Sequence, residues 1–169
     1  YRKLASFFGG DSILNVNGDD ITTFRFDQNN ARLKGVEAVF DIHPHPLDWL
    51  HFENSFSFVR GRFNDAVDGT NNLPLIPAPR WVSDIRANFL KAGKSLRNVY
   101  IKLEMDKNFD QNKPFIAYDT ETKTNGYTLF NAGIGADITS KNKTILSIHF
   151  GALNLTDAAY QSHLSRLKY

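Results

Sequence analysis

Residues 49–60 read Trp-Leu-His-Phe-Glu-Asn-Ser-Phe-Ser-Phe-Val-Arg. Apolar side chains recur here at every second position, interrupted once by Asn54, and mostly polar side chains fill the positions between them. The apolar positions are Leu50, Phe52, Phe56 and Phe58. A period of two is that of a β-strand, whose successive side chains point to opposite faces of the sheet. The stretch therefore predicts a strand with one apolar and one polar face.

The same alternation recurs along the chain and predicts seven strands. The other six stretches are 23–27, 34–42, 81–90, 99–106, 130–138 and 146–152. Residues 1–8 fit the tail of an eighth strand. Only 156–167 has a weak helical spacing, which leaves a short helix open there. The expected fold class is all-β, an antiparallel meander of seven or eight strands.

The connections between these strands alternate between short and long. They cover 43–48 (short), 61–79 (long), 91–98 (short), 107–125 (long) and 139–143 (short). Alternate connections of an antiparallel meander lie at opposite ends of the sheet. One end should therefore carry tight turns and the other long loops. Outer-membrane barrels have this asymmetry, although a soluble sandwich can also produce it.

The composition narrows the class of protein. The 169 residues are 41% hydrophobic and 22% charged, which excludes a disordered tail. No apolar run approaches the roughly 18 residues of a membrane helix, so a helical membrane protein is excluded and a β-barrel is not. The net charge of +2 shows no bias toward nucleic acid, and the absence of cysteine removes disulfides and thiol catalysis.

The alternation does not reveal which face is inside. The apolar face would line the interior of a soluble, lipocalin-like barrel, whereas it would face lipid in a membrane barrel. Both arrangements stay open at this point.

Several ordered local patterns bear on that choice. Residues 26–37 contain an aromatic residue, a tight Asn-Asn turn and Gly-Val-Glu, and 151–160 read Gly-Ala-Leu-Asn-Leu-Thr-Asp-Ala-Ala-Tyr. Further pieces lie at 54–58, 75–80 and 127–133. Together, from about residue 21 to 160, they resemble the barrel of TonB-dependent outer-membrane receptors. Thr156 departs from the pattern, because an aromatic residue is commoner there.

The resemblance implies that residues 1–169 are the C-terminal third of a transmembrane barrel of about 22 strands, without the plug domain and the last strand. The chain lacks an initiator Met, which fits a piece of a longer protein. Such receptors lie in the outer membrane of Gram-negative bacteria. They import a scarce ligand such as a ferric siderophore or other iron chelate, haem, cobalamin or a glycan. The implied partners are outer-membrane lipid, the receptor's own plug domain and the energy-coupling TonB protein. The alternative is a soluble β-barrel or sandwich that binds an apolar ligand in its interior.

Six residues are candidates for a functional site. The resemblance implies that Glu37 contacts the plug, and Gly35 on the same face would permit its close approach. Arg60 and Arg62 lead into a long loop where they could attract an anionic ligand, or they form a solvated strand end. Phe115 and Tyr118 could stack on a ligand, or they serve loop packing or an aromatic girdle.

No pattern indicates catalysis. His43 and His45 form the only histidine cluster, and two ligands do not make a metal site, so a rigid proline-containing turn is the simpler interpretation. No nucleophile elbow, phosphate-binding loop or zinc-protease motif is present in the sequence. We therefore expect no enzyme activity, no metal and no cofactor.

Overall fold

The computed structural model describes residues 2–4, 13–16, 19–22, 26–117, 121–141 and 143–165. The main elements of these ranges are β-strands, and none of the described residues belongs to a helix long and apolar enough to cross a bilayer. The strands are β1 (Arg2–Leu4), β2 (Ile13–Val16), β3 (Asp19–Thr22), β4 (Phe26–Gln28), β5 (Ala31–Ile42), β6 (Leu50–Val67), β7 (Thr70–Asn72), β8 (Arg80–Leu90), β9 (Leu96–Asn108), β10 (Tyr127–Ser140) and β11 (Lys143–Ala152).

Seven of these strands form one antiparallel sheet in the order β11-β10-β9-β8-β6-β5, with β7 paired to β6. The prediction of an all-β antiparallel meander is confirmed. Over the described residues the sheet is not closed, and β5 and β11 are its edges. The predicted strand at 23–27 corresponds to β4, which pairs with β1 in a separate two-stranded sheet. Residues 23–25 of that prediction lie outside the described residues, and the hairpin of β2 and β3 had no counterpart in the sequence analysis.

Strand β6 is longer than its sequence pattern indicated. It continues to Val67, seven residues into the predicted loop, and then reverses at Asp68 and Gly69. Their φ angles of 45° and 79° are the left-handed values of a two-residue hairpin turn, in which Asp-Gly is a preferred pair. The polar residues before the turn have the composition of a loop, which explains why the sequence analysis ended the strand too early.

The connections differ in length at the two ends of the large sheet. The turns at one end include residues 43–49, 91–95 and Lys141. At the other end lie the β6–β7 hairpin with 73–79 and the described loop residues 109–117 and 121–126, and the segment 153–165 starts there. The described part of the weak helical pattern, 156–165, contains turns and no helix.

The two sides of the sheet differ in their exposure. The apolar side is open: Phe40 is 62% exposed, Leu103 54% and Phe150 67%. The buried apolar cluster lies instead at the long-loop end, where the loops cover the other face of β6. It consists of Phe63, Leu73, Phe115 and Ala117, with Ala31, Val67 and Ile76 packed against it. The large apolar side chains along the strands therefore do not form a core.

Candidate functional site

The polar side of the sheet forms an open groove of about 390 Å³ that spans β5, β6, β8 and β9. A row of four carboxylates crosses it, each directly opposite the next on the neighbouring strand. The row consists of Asp41, Glu53, Asp84 and Glu104. Opposite residues of antiparallel strands have Cβ atoms about 4.5–5.5 Å apart, and like charges at that spacing are unfavourable. The row is therefore a site that needs cations.

Lys102 supplies a cation to one half of the row. Its Nζ lies 2.7 Å from Oδ2 of Asp84 and 3.0 Å from Oε2 of Glu104. Asn131 on β10 donates a further hydrogen bond of 2.8 Å to Oε1 of Glu104. These contacts offset the repulsion between the two carboxylates and hold them in fixed positions on the floor of the groove.

The other half of the row keeps a free carboxylate. Glu53 is exposed and forms no ion pair or hydrogen bond with any residue in the described ranges. Its neighbour Asp41 lies 3.0 Å from Nε2 of His43 in the following turn. The ring of His43 stands edge-on to that of His51, with 4.5 Å between the ring centroids. Glu53 is thus the carboxylate of the row most available to an outside partner.

A cationic and aromatic group lies beside the carboxylate row. The guanidinium carbon of Arg86 lies 3.9 Å from the centroid of the Tyr100 ring, and Nε donates a 3.1 Å hydrogen bond to Asn88. The Tyr100 hydroxyl lies 3.1 Å from Nδ1 of His149 on β11. Stacking on a ring fixes a guanidinium while leaving other donors free. The groove therefore presents fixed charges of both signs.

A smaller cavity of about 220 Å³ continues the polar side toward the long loops. Its walls include Glu37, Ser57, Arg80 and Tyr127 from the sheet and His163 from the C-terminal segment. Arg80 is paired with a carboxylate of β9, and Tyr127 packs against Tyr160 with 4.6 Å between ring centroids. The loops and the C-terminal segment thus close over one end of the polar side.

The buried side chain of Glu121 links these loops through hydrogen bonds. Glu121, 5% exposed, accepts hydrogen bonds from the backbone N–H of Leu75 (2.5 Å) and of Phe115 (2.8 Å). Nε2 of His163 lies 3.6 Å from Oε2 of Glu121, the oxygen that accepts the hydrogen bond from Phe115. Nδ1 of His163 lies 2.7 Å from the Thr124 hydroxyl. Thr124 is itself buried, so this chain of polar groups joins three segments and does not present a nucleophile to solvent.

Gly35 and Glu37 lie on β5, and Glu37 is exposed on the wall of the smaller cavity. A Cβ atom on Gly35 would lie 2.9 Å from the carbonyl oxygen of Phe58 on the adjacent strand. That distance is too short for a relaxed contact, so close strand packing is one reason for glycine at this position. The predicted contact of Glu37 with a plug domain stays a prediction.

The structure separates Phe115 from Arg60 and Arg62, three of the predicted ligand-binding residues. Phe115 is 2% exposed and packs on Phe63, whose ring centroid is 6.1 Å away. Arg60 and Arg62 alternate with Phe63 along β6 and therefore face the opposite side of the sheet. Tyr118 lies outside the described residues. The position of Phe115 is that of loop packing, the alternative considered for it from the sequence.

The paired histidines of the first turn have different partners. Nδ1 of His45 lies 3.6 Å from Asp48, whereas His43 contacts Asp41. Within the described ranges no group of three or more His, Asp or Glu side chains is placed to hold a metal ion.

Sequence reasoning missed Glu121 and His163. Both are isolated polar residues in segments without strand periodicity, and their contact depends on the packing of loops that are distant in the chain. By contrast, the alternation already placed Asp84, Lys102 and Glu104 on the polar side.

The groove can bind a charged or hydrated partner, because its carboxylates, Arg86 and Lys102 are held in place and open to one side. Comparison of the chain with known protein families and with curated proteins gives no match to either.

Proposed function

We propose that this chain is a segment of a large transmembrane β-barrel, within an outer-membrane active-transport receptor of the TonB-dependent kind. One observation carries the proposal: the sheet exposes apolar side chains on one side and a charged groove on the other. A membrane barrel requires this division, with apolar residues toward lipid and polar residues toward the lumen. In a soluble barrel or sandwich with an apolar interior, the same apolar side chains would pack into a core.

The open edges of the sheet support a barrel with more strands. β5 and β11 each have one side without a strand partner among the described residues. Unpaired backbone groups in lipid cost several kcal/mol each, so a spanning sheet has to close on further strands. The charged groove points to a large barrel, because a barrel of about eight strands has room only for its own side chains.

In this proposal the receptor captures a scarce ligand, such as a ferric siderophore, haem, cobalamin or a glycan. Its passage is driven by the TonB protein acting on the plug domain. The segment contributes part of the barrel wall, with the polar side toward the plug. Glu37 and Glu53 are exposed there and are the carboxylates proposed to meet cationic side chains of the plug.

Spin labels test the orientation of the sheet, and none of these 169 residues is a native cysteine that would take a label. Single substitutions Leu103→Cys and Phe150→Cys place labels on the apolar side, and Glu53→Cys and Ser147→Cys place matched labels on the polar side. The full-length protein is reconstituted into vesicles. Oxygen partitions into lipid, so we expect it to increase the spin relaxation of the labels on the apolar side most strongly. A water-soluble nickel chelate should relax the second pair most strongly. Equal access of the nickel chelate to both pairs would overturn the membrane orientation and favour the soluble alternative.

Uptake measurements test the transport function separately. Cells that carry the full-length protein should accumulate one member of a panel of labelled ferric chelates, haem, cobalamin and glycans. A protonophore should abolish that accumulation, because the energy comes from the inner membrane. Accumulation that persists with the protonophore would indicate a passive channel.

A further inference from the structure

At the long-loop end of β5 and β6, four cations form two cross-strand pairs that follow each other on the same side of the sheet. Arg32 lies directly opposite Arg62, and Lys34 lies directly opposite Arg60. Like charges directly opposite each other destabilise a sheet. Two such pairs in succession are unfavourable for the isolated strands, and an anion bound between them would remove the repulsion.

No acidic side chain of the described chain provides that anion. The four cations border an open depression of about 670 Å³ whose other lining residues are Phe63, Asn64 and Asn71, so no carboxylate lines it. None of the four forms an ion pair with a described residue. Nε of Arg60 is buried and lacks a hydrogen-bond partner in the described structure. The depression therefore has the charge and the unused donors of an anion site.

The cluster lies on the apolar side of the sheet. The pairing of β5 with β6 runs without a register shift, and side chains alternate strictly along both strands. Lys34 and Arg60 thus lie on the same side as Val36 and Phe58, which are opposite each other two positions along the ladder. Val36 is 59% exposed and Phe58 39%. The cations continue an exposed apolar surface, whereas the opposite side of β6 is covered by the loops at this end.

We propose that Arg32, Lys34, Arg60 and Arg62 bind the phosphate groups of membrane-lipid headgroups. The inference rests on the proposed function, since it requires the apolar side to face lipid. If the apolar surface lies in the hydrocarbon layer, the four cations, which lie just beyond it at the long-loop end, are at the depth of the lipid headgroups. Guanidinium groups bind phosphate through paired hydrogen bonds, and a lysine adds a point charge. A small ligand in the barrel lumen would be on the wrong side of the strand to reach these four groups.

The test is a titration of the delipidated full-length protein in detergent with phosphatidylglycerol, followed by native mass spectrometry. Phosphatidylcholine is the control lipid, because its phosphate is offset by a cationic group. The variant Arg32→Gln/Arg62→Gln removes one opposed pair. The matched variant Lys141→Gln/Lys143→Gln removes two charges at the short-turn end. We expect the first variant to weaken phosphatidylglycerol binding by roughly 30-fold, on the scale of surface charges near an anionic membrane. The second should leave it unchanged.

A conservative variant separates binding from folding. Arg32→Lys/Arg62→Lys keeps both charges and should retain most of the affinity for phosphatidylglycerol. This variant and Arg32→Gln/Arg62→Gln should both keep the heat-modifiable gel migration of the wild type, which shows that they fold. Equal losses in the two glutamine variants, or equal affinity for the two lipids, would overturn the proposal. So would full competition by soluble glycerol phosphate, which would assign the cluster to a free anion. The spin-label experiment separates these failures from failure of the membrane orientation, because it makes no use of the cations.

Discussion

The guanidinium of Arg80 donates two parallel hydrogen bonds to the carboxylate of Asp106, Nε to Oδ1 and Nη2 to Oδ2, each 2.8 Å long. Asp106 is largely buried, and Asn108 donates a third bond of 3.1 Å to its Oδ1. The pair joins β8 to β9 where the open groove meets the cavity under the loops. A two-pronged contact of this kind fixes direction as well as distance.

The substitution Asp106→Asn should destabilise the protein, because Arg80 loses its charged partner and one of the two bonds loses its acceptor. The Arg80 side chain is about half exposed, so solvent screening reduces the effect, and we expect a loss of about 1–2 kcal/mol. The measurement is urea unfolding of the full-length protein, followed by tryptophan fluorescence. Asp65→Asn, an exposed carboxylate of β6, is the control and should stay within about 0.5 kcal/mol of wild type. Equal shifts for both variants would contradict a specific role of the pair.

Glu121→Gln should loosen the long-loop end while leaving the sheet intact. An amide keeps one acceptor oxygen, so one of the two backbone N–H groups bonded to Glu121 is left buried without an acceptor, at a cost of about 1–3 kcal/mol. Hydrogen exchange should therefore accelerate in 73–79 and 109–117 and stay unchanged in β8 and β9. Glu53→Gln, a change at an exposed position, should alter neither region. Uniform acceleration over the whole sheet would show that Glu121 supports global stability instead.

Gly133 and Gly135 of β10 provide a matched pair of substitutions that tests how closely side chains approach this strand. A Cβ atom on Gly135 would overlap Nδ1 of His149 and lie 2.5 Å from Cε1 of Tyr100, whereas one on Gly133 has its nearest neighbour at 3.6 Å. Gly135→Ala should displace both rings, break the Tyr100–His149 contact and cost about 1–3 kcal/mol. Gly133→Ala should be neutral or slightly stabilising. Unfolding midpoints and the near-ultraviolet circular dichroism of the tyrosines distinguish them, and a silent Gly135→Ala would contradict the close approach.

The buried apolar cluster at the loops can be tested with two leucines. Leu73 is 1% exposed within the cluster, whereas Leu75 is 67% exposed in the same segment. Leu73→Ala should cost about 2–5 kcal/mol through lost contacts and the cavity that remains. Leu75→Ala removes the same atoms from a surface position and should change stability little. Limited proteolysis within 68–79 provides the readout, with cleavage expected to accelerate only for Leu73→Ala.

Periodicity predicted the strands well because it is a local property. The alternation in 49–60 and its repeats placed six strands of the large sheet in the correct order, and it identified the polar side that forms the groove. It underestimated β6, because polar residues follow Arg60 although the strand continues to the turn at Asp68 and Gly69. When loops or charged groups contact both faces of a strand, the two faces no longer differ in polarity. The alternation of apolar and polar residues that predicts a strand is then absent.

The loops were less predictable for a different reason. The burial of Phe115 depends on Phe63 in β6 and Leu73 in the segment after β7, and the contact of Glu121 with His163 joins segments far apart in the chain. No spacing within one segment encodes such contacts. The side on which Arg60 and Arg62 lie was implicit in the parity of β6, but their cross-strand partners became visible only with the register.

The order of the large sheet has a consequence for how it forms. Among the described long strands, each pairs with the long strands immediately before and after it, across the short turns and the long loops alike, and only β6 also pairs with the short strand β7. Contacts between successive strands close short stretches of chain, so the entropy lost at each step is small and pairing can advance one strand at a time. Each added strand leaves a fresh edge, which serves as the template for the next. The sheet is therefore built for sequential growth, and a partly formed intermediate would be most vulnerable to wrong pairing at its newest strand.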